Sequence, residues 1–382
     1  MSANCSVACR RPAGYCVDPS APAAVCLLVI ARIRRLCPLL VMLCLVGGCA
    51  GVAPRNPVPD GLVGRAQIPG IPNARIWGDD IPPEYEQRLR SLSTAEGRRA
   101  YPAMFVPEHN YLAVSGGGAD GAFGAGLLVG WTEAGNRPEF QMVTGVSTGA
   151  LTAPWAFLGS DYDGILREVY TTTESRDIAR RRGLAIAAFS DAAADSAPLL
   201  DVIERYVTDE VIEAIAVEFR RGRQLFIGTT DLDFMRPVIW NVGTICASGH
   251  PNAKSLVHEI MLASASIPAA LPPVRIDVEV DGQMYDEMHV DGGTTSQVFV
   301  YPTAMDWPAL LEAAGVIEGA NTYIIRNSHL APRREVVEPK VLSIASRSIS
   351  TLIRTQGVGD LYRIYAVTQR DGGRYHPVSY TH

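Results

Sequence analysis

Three short stretches of this chain carry residue types and spacings that can do chemistry. Gly145-Val146-Ser147-Thr148-Gly149 reads G-x-S-x-G. A serine enclosed by small residues suits a tight strand-to-helix turn, where free backbone N–H groups and the helix dipole favour negative charge. Ser147 is therefore the candidate nucleophile for acyl transfer, and Gly145 and Gly149 let the turn close. A serine at its ordinary pKa is a weak nucleophile and needs a base. His289-Val290-Asp291-Gly292-Gly293 offers Asp291 at a strand end, with Gly292 and Gly293 leaving room around it. The seven histidines (His109, His250, His258, His289, His329, His376 and His382) fall in no obvious catalytic loop, though His258 and His289 stay open as partners of the serine. The third stretch is Ser115-Gly116-Gly117-Gly118-Ala119-Asp120-Gly121. Bare N–H groups at Gly116, Gly117 and Gly118 suit an oxyanion that develops beside the serine.

These residues need a framework that brings strand ends together. The apolar run 111–115 predicts a strand, 122–134 a helix, 140–145 a second strand and 150–159 a second helix. Strand, helix, strand, helix at this spacing implies a parallel α/β sheet. Gly118 and Ser147 then lie one strand–helix–strand step apart, so the glycine loop and the serine turn emerge side by side at the carboxyl edge. Downstream, 162–221 reads as helical with breaks, 224–233 and 237–245 as strands, and 254–267 as a helix halted by Pro268. Val274, Ile276, Val278 and Val280 alternate up to Asp281-Gly282, a hairpin signal. One more strand is expected over 322–327 and a closing helix over 341–356. The fold class expected is α/β, with a mixed, mainly parallel central sheet and helices on both faces.

The glycine loop also fits G-x-G-x-x-G, so a dinucleotide site has to be weighed. That site needs an acid at the end of the second strand to hold the ribose hydroxyls. Here that strand ends at Thr144-Gly145-Val146, and Glu139 precedes it. No Gly-Lys-Ser/Thr follows, which excludes a P-loop. A dinucleotide is not expected, nor is any other cofactor or metal.

Taken together, the three stretches resemble the patatin-like phospholipase family, whose pattern is G-G-G-x-R/K-G, then G-x-S-x-G, then D-G-G/A. Here these fall at 116–121, 145–149 and 291–293, and the segments 196–203 and 263–274 are similar to family segments too. The resemblance covers about residues 108–330. It implies a Ser-Asp dyad without histidine: Ser147 as nucleophile, Asp291 as base, Gly116 to Gly118 as oxyanion donors, and Gly121, Gly145, Gly149, Gly292 and Gly293 supporting the motifs. The substrate implied is a phospholipid, a lysophospholipid or a related acyl ester. Asp120 stands where the family carries Arg or Lys. A carboxylate there predicts a preference for neutral and zwitterionic esters over anionic lipids, unless Asp120 caps the helix that follows. The other readings are an α/β-hydrolase with a Ser–His pair, and a catalytically decayed envelope lipoprotein.

Seven of the eight cysteines lie in the first 49 of 382 residues, which excludes a disulfide scaffold spread through the fold. Arg32, Arg34 and Arg35 precede an apolar run, Leu36 to Val46, too short to span a bilayer, and Val46-Gly47-Gly48-Cys49 resembles a bacterial lipobox. Residues 1–49 are thus expected to be a signal region with an extended start, and Cys49 a lipidation site. The protein would sit in the cell envelope as a membrane-anchored lipoprotein facing the periplasm. The formal net charge of -6 argues against nucleic acid as a partner. Cys246, far from the other seven, is expected to be buried and inert. Residues 50–107 are expected to form a proline-rich tether and a short helix over 84–99, 108–330 the catalytic core, and 331–382 a helical segment packed on it.

Overall fold

Buried apolar runs become the strands of one nine-stranded sheet in the computed structural model, which describes residues 54–80, 93–172, 192–303, 305–315 and 319–380, together with Gln87, Ile178, Arg180 and Arg181. In chain order the strands are β1 (Arg75–Trp77), β2 (His109–Val114), β3 (Met142–Val146), β4 (Arg180–Arg181), β5 (Ala194–Asp195), β6 (Gln224–Asp231), β7 (Arg236–Asn241), β8 (Val274–Val280), β9 (Gln283–Asp291), β10 (Ala320–Arg326) and β11 (Arg374–Ser379). The sheet runs β1-β7-β6-β3-β2-β10-β11, with β9 also paired to β6 and β8 to β9, while β4 and β5 form a separate small ribbon. Strands β6, β3, β2, β10 and β11 are mutually parallel; β1, β7, β8 and β9 join antiparallel. This is the mixed, mainly parallel α/β sheet expected from the sequence.

Parallel strands buried on both faces read as near-continuous apolar runs, as β2 and β3 do. Leu112, Val114 and Val143 point to one core, where helices Gly121–Glu133, Thr148–Leu158, Asp209–Arg220 and Ala253–Ser264 supply Leu128, Phe157, Ile215 and Ile260. Tyr111, Ala113 and Met142 point to the other, against Leu311 of helix Trp307–Ala314 and Ile364 and Val367 of helix Val341–Arg370. The hairpin turn falls at Asp281-Gly282, both with positive φ, +51° and +80°, the geometry of a two-residue type I′ connection.

Four expectations change. The run 237–245 is not one strand: the Asn241 side chain accepts the Thr244 N–H at 2.9 Å, ending β7 and starting helix Val242–Ala247. The tether expected over 50–83 gives way, over 56–80, to packed chain. There Val58, Val63, Ile68 and Ile71 are buried, Gln67 and Glu279 exchange backbone hydrogen bonds, and β1 pairs with β7. The C-terminal segment is more than helical, because Val341–Arg370 runs on into β11, which pairs in parallel with β10. The surface helix expected over 84–99 is seen as Ala95–Ala100, capped by the Thr94 hydroxyl, and its earlier part lies outside the described residues. Residues Asn56–His382 form one unit. Cys49 and the rest of 1–53 lie outside the described residues. Cys246 is buried and free, its thiol pushed up to about 12 by burial.

Candidate active site

The serine turn closes because two glycines allow backbone to touch backbone. A Cβ on Gly149 would lie 2.1 Å from the Val114 carbonyl oxygen, and one on Gly145 would lie 2.4 Å from that of Gly149. Between them Ser147 sits at φ +56°, ψ -125°, a strained conformation for a residue with a side chain, and helix Thr148–Leu158 starts at once. The Ser147 N–H donates to the Ser264 hydroxyl at 3.0 Å, and that hydroxyl donates to the Gly228 carbonyl at 2.7 Å.

Asp291 reaches this turn along one edge of β6. Strand β3, parallel to β6, ends with Val146 opposite Gly228. Strand β9, antiparallel to β6, ends with Asp291 opposite the next residue, Thr229. The two strands thus terminate against each other from opposite directions. The chain can turn away after Asp291 only without a side chain, since a Cβ on Gly292 would lie 2.3 Å from the Gly228 carbonyl oxygen. The Asp291 N–H donates to the Ser266 carbonyl at 2.9 Å, and its Oδ1 accepts the Gly293 N–H at 2.7 Å. Burial pushes the Asp291 carboxyl up to about 6, held from rising further by hydrogen bonds from the Ser147 side chain and the Gly293 N–H. A carboxylate with a pKa close to neutrality is suited to accept and return a proton.

The glycine loop lies against the same turn. A Cβ on Gly116 would be 3.1 Å from the Ser147 Cβ, and one on Gly121 would be 2.1 Å from the Thr148 hydroxyl. Of the three expected oxyanion donors, Gly116 is otherwise engaged: its N–H donates to the Gln297 carbonyl at 3.1 Å. Gly117 and Gly118 open the short 3-10 turn Gly118–Asp120, ahead of any intrahelical acceptor for their N–H groups. Asn327, directly after β10, clamps the loop. Its N–H donates to the Ser115 hydroxyl at 3.0 Å, its amide nitrogen to the Ser115 carbonyl at 2.8 Å, and its amide oxygen accepts the Gly124 N–H at 3.0 Å. Asp120 occupies the N-cap position of helix Gly121–Glu133 but makes no side-chain capping bond.

The histidines left open by the sequence are engaged elsewhere. His258 is buried with Nε2 2.8 Å from the Val207 carbonyl. His289, fully buried, lies between the Thr229 hydroxyl at 3.0 Å and the Glu287 carboxylate at 3.1 Å. Asp231, Glu287 and His289 cluster closely enough to suggest a metal site. Yet Arg75 already pairs with Glu287; burial opposes that charge, but His289 and Arg75 hold the carboxyl down at about 2. A fixed cation thus takes the place a metal ion would need.

Gly117, Gly118, Asp120, Ser147 and Asp291 share a cleft of about 530 Å³ at the carboxyl ends of the parallel strands. The end of β10 adds Arg326 to this cleft, and the long C-terminal helix and the segment before it roof it, adding His329, Arg333, Arg347 and Arg354. A separate apolar cavity of about 100 Å³, lined by Tyr111, Met142 and Trp307, lies at the opposite ends of β2 and β3 and includes neither Ser147 nor Asp291. Ser264, Gln297, Asn327 and Arg326 were not singled out in the sequence. Asn327 and Arg326 carry a weak signal, since both are polar residues at the end of an apolar strand.

The model of the family described as patatin-like phospholipase matches residues 112–304. Among solved structures the chain is similar to VipD from Legionella pneumophila, with 12% identity and a TM-score of 0.35, over 64% of this chain and about half (53%) of that one. No curated protein matches the chain in sequence.

Proposed function

Because the chain belongs to the patatin-like phospholipase family, a family of lipid acyl hydrolases, we propose that it hydrolyses lipid acyl esters through Ser147 and Asp291. The observation that carries this reading is the meeting of β3 and β9 on adjacent residues of β6, which sets a buried, near-neutral carboxyl beside a serine in a strained turn. In the first half-reaction Asp291 accepts the Ser147 hydroxyl proton as Oγ attacks the ester carbonyl carbon. The N–H groups of Gly117 and Gly118 receive the negative charge on the carbonyl oxygen. Collapse breaks the bond to the leaving alcohol, which takes the proton from Asp291. Water then attacks the acyl-enzyme, giving a proton to Asp291. The carboxylic acid departs as Ser147 Oγ recovers that proton.

Exposed apolar side chains on the chain segments that roof the cleft, outside its lining (Leu330, Val336, Val341 and Ile344), support a lipid rather than a small polar ester. The test is labelling by a fluorophosphonate probe alongside hydrolysis of a short acyl ester and a lysophospholipid. Both are expected in the parent and absent in Ser147→Ala. A parent that neither labels nor hydrolyses would mark a decayed site. The chain is further proposed to be anchored in the cell envelope through a lipidated Cys49. Cys49→Ser should then leave the membrane fraction, since a lipobox product carries several acyl chains; equal membrane association of both proteins would reject the anchor.

A further inference from the structure

Arg326 ends β10 and is only 2% exposed, yet it lines the cleft that holds Ser147 and Asp291. Its guanidinium lies so close to the long helix that a Cβ on Gly357 would be 2.2 Å from Nη1. Among the described residues its Nε has no hydrogen-bond partner, and no carboxylate lies within salt-bridge distance. Arg354, one turn before Gly357 on the same helix, lines the cleft too. It donates through Nη2 to the Leu330 carbonyl, while its Nε is buried without a partner. The other two cleft arginines are engaged: Arg347 with Glu335 at 2.9 Å, and Arg333 with His329.

A buried guanidinium is normally paired, because a fixed charge out of water needs an opposite charge or acceptors. Here two adjacent guanidinium groups face the cleft with donors to spare; burial weakens the hold of Arg326 on its proton, the Asp360 carboxylate offsets this in part, and the Arg354 charge adds to it. The planar fork of arginine matches the oxygens of a phosphate. In a glycerophospholipid the phosphate lies a few bonds from the ester carbonyl that would sit at Ser147. We propose that Arg326 and Arg354 form a binding site for the substrate's phosphate, so that the cleft favours glycerophospholipids over neutral glycerides. The cationic group that the family carries in the glycine loop, where this chain has Asp120, is supplied here from β10 and the roof helix. Such a site opposes the preference for neutral esters expected from Asp120 alone.

This inference rests on the hydrolase reading for its substrate, so the test has one arm with turnover and one without. In the first, kcat/KM is compared for phosphatidylglycerol and for diacylglycerol with the same acyl chains, in mixed micelles at matched salt. Loss of one charge-assisted bidentate contact should lower the phosphatidylglycerol-to-diacylglycerol ratio about 10- to 100-fold in Arg326→Gln and Arg354→Gln, with partial recovery in Arg326→Lys. In the second, Ser147→Ala protein is titrated with lysophosphatidylglycerol and with monoacylglycerol, and the arginine changes should weaken the first selectively. Should Arg326→Gln fail to fold, Arg354→Gln and Arg326→Lys decide the matter. Displacement of the lysolipid by millimolar inorganic phosphate would show that the site takes phosphate from any source. Its failure, with arginine-dependent lysolipid binding, would assign the site to the lipid headgroup. Arginine-dependent binding without turnover would uphold the phosphate site and reject the hydrolase. An unchanged ratio together with unchanged lysolipid affinity in the arginine variants would overturn the phosphate site.

Discussion

The Ser264 hydroxyl links the Ser147 N–H, 3.0 Å away, to the Gly228 carbonyl, 2.7 Å away, and so joins the serine turn to the strand edge on which Asp291 also ends. All three groups are buried, and Ser264 is the only bridge between that N–H and that carbonyl among the described residues. Ser264→Ala leaves a buried donor and a buried acceptor exposed to no water, a loss of about 1–3 kcal/mol. Urea denaturation should show that loss, and kcat should fall with it because the hydroxyl of Ser147 is no longer held against Asp291. Unaltered stability would mean that the turn is kept by its glycines alone.

Ser147→Ala and Asp291→Asn should be equally damaging to kcat, and the double variant little worse than either, because members of one catalytic unit give losses that do not add. His258→Ala and His329→Ala should be mild. His289→Ala is expected to lower stability through the unsatisfied Thr229 and Glu287, while sparing turnover in the folded fraction. A histidine variant that matched Ser147→Ala in kcat, with the fold intact, would replace the dyad by a triad.

Asp291 sets the pH dependence. The base is active when ionised, so kcat/KM should rise with pH through about 6 and level off above it. Stability runs the other way. The folded carboxyl binds its proton more tightly than the unfolded one, whose ordinary value is 3.8, so its stabilising effect is complete below that value and is lost as pH rises through about 6. Asp291→Asn should therefore be more stable than the parent at pH 8, by on the order of 2–3 kcal/mol, and gain little at pH 4. Thermal melts at the two pH values check this, and an equal gain at both would mean that burial of the charge is not what raises the pKa.

Two glycines near the nucleophile should respond differently to the same methyl group. Gly149→Ala forces a Cβ to within 2.1 Å of a carbonyl oxygen and should abolish folding or cost more than about 3 kcal/mol. Gly118 has φ +56° with open space around it, so Gly118→Ala should cost only about 1 kcal/mol of conformational strain. Comparable losses in the two proteins, read from denaturation midpoints, would contradict the packing around the turn.

Much of this was legible in the residues. Apolar runs marked β2, β3 and β10, and Asp281-Gly282 marked the hairpin turn, because both signals are local. The approach of Asp291 to Ser147 was not local: it depends on β6 outlasting β3 and pairing with β9 on the freed edge, a matter of register that no spacing displays. The prolines between 54 and 83 suggested a free tether, yet Val58, Val63, Ile68 and Ile71 among them find a core to enter. Asp120 made the loop look acidic, while the arginines that answer it come from β10 and a helix more than two hundred residues downstream.

The sheet order also bears on self-association. A long, flat, unpaired strand invites another chain to add itself. Here β1 at one end of the order is three residues long, and β11 at the other carries Pro377, which has no N–H to offer a newcomer. The outer side of β8 is met by Gln67, which trades N–H and carbonyl with Glu279. Residues 56–71 thus act as a guard over the hairpin that delivers Asp291. A chain lacking them should collect into oligomers through β8 at concentrations where the parent stays dispersed, and light scattering of the two would tell them apart.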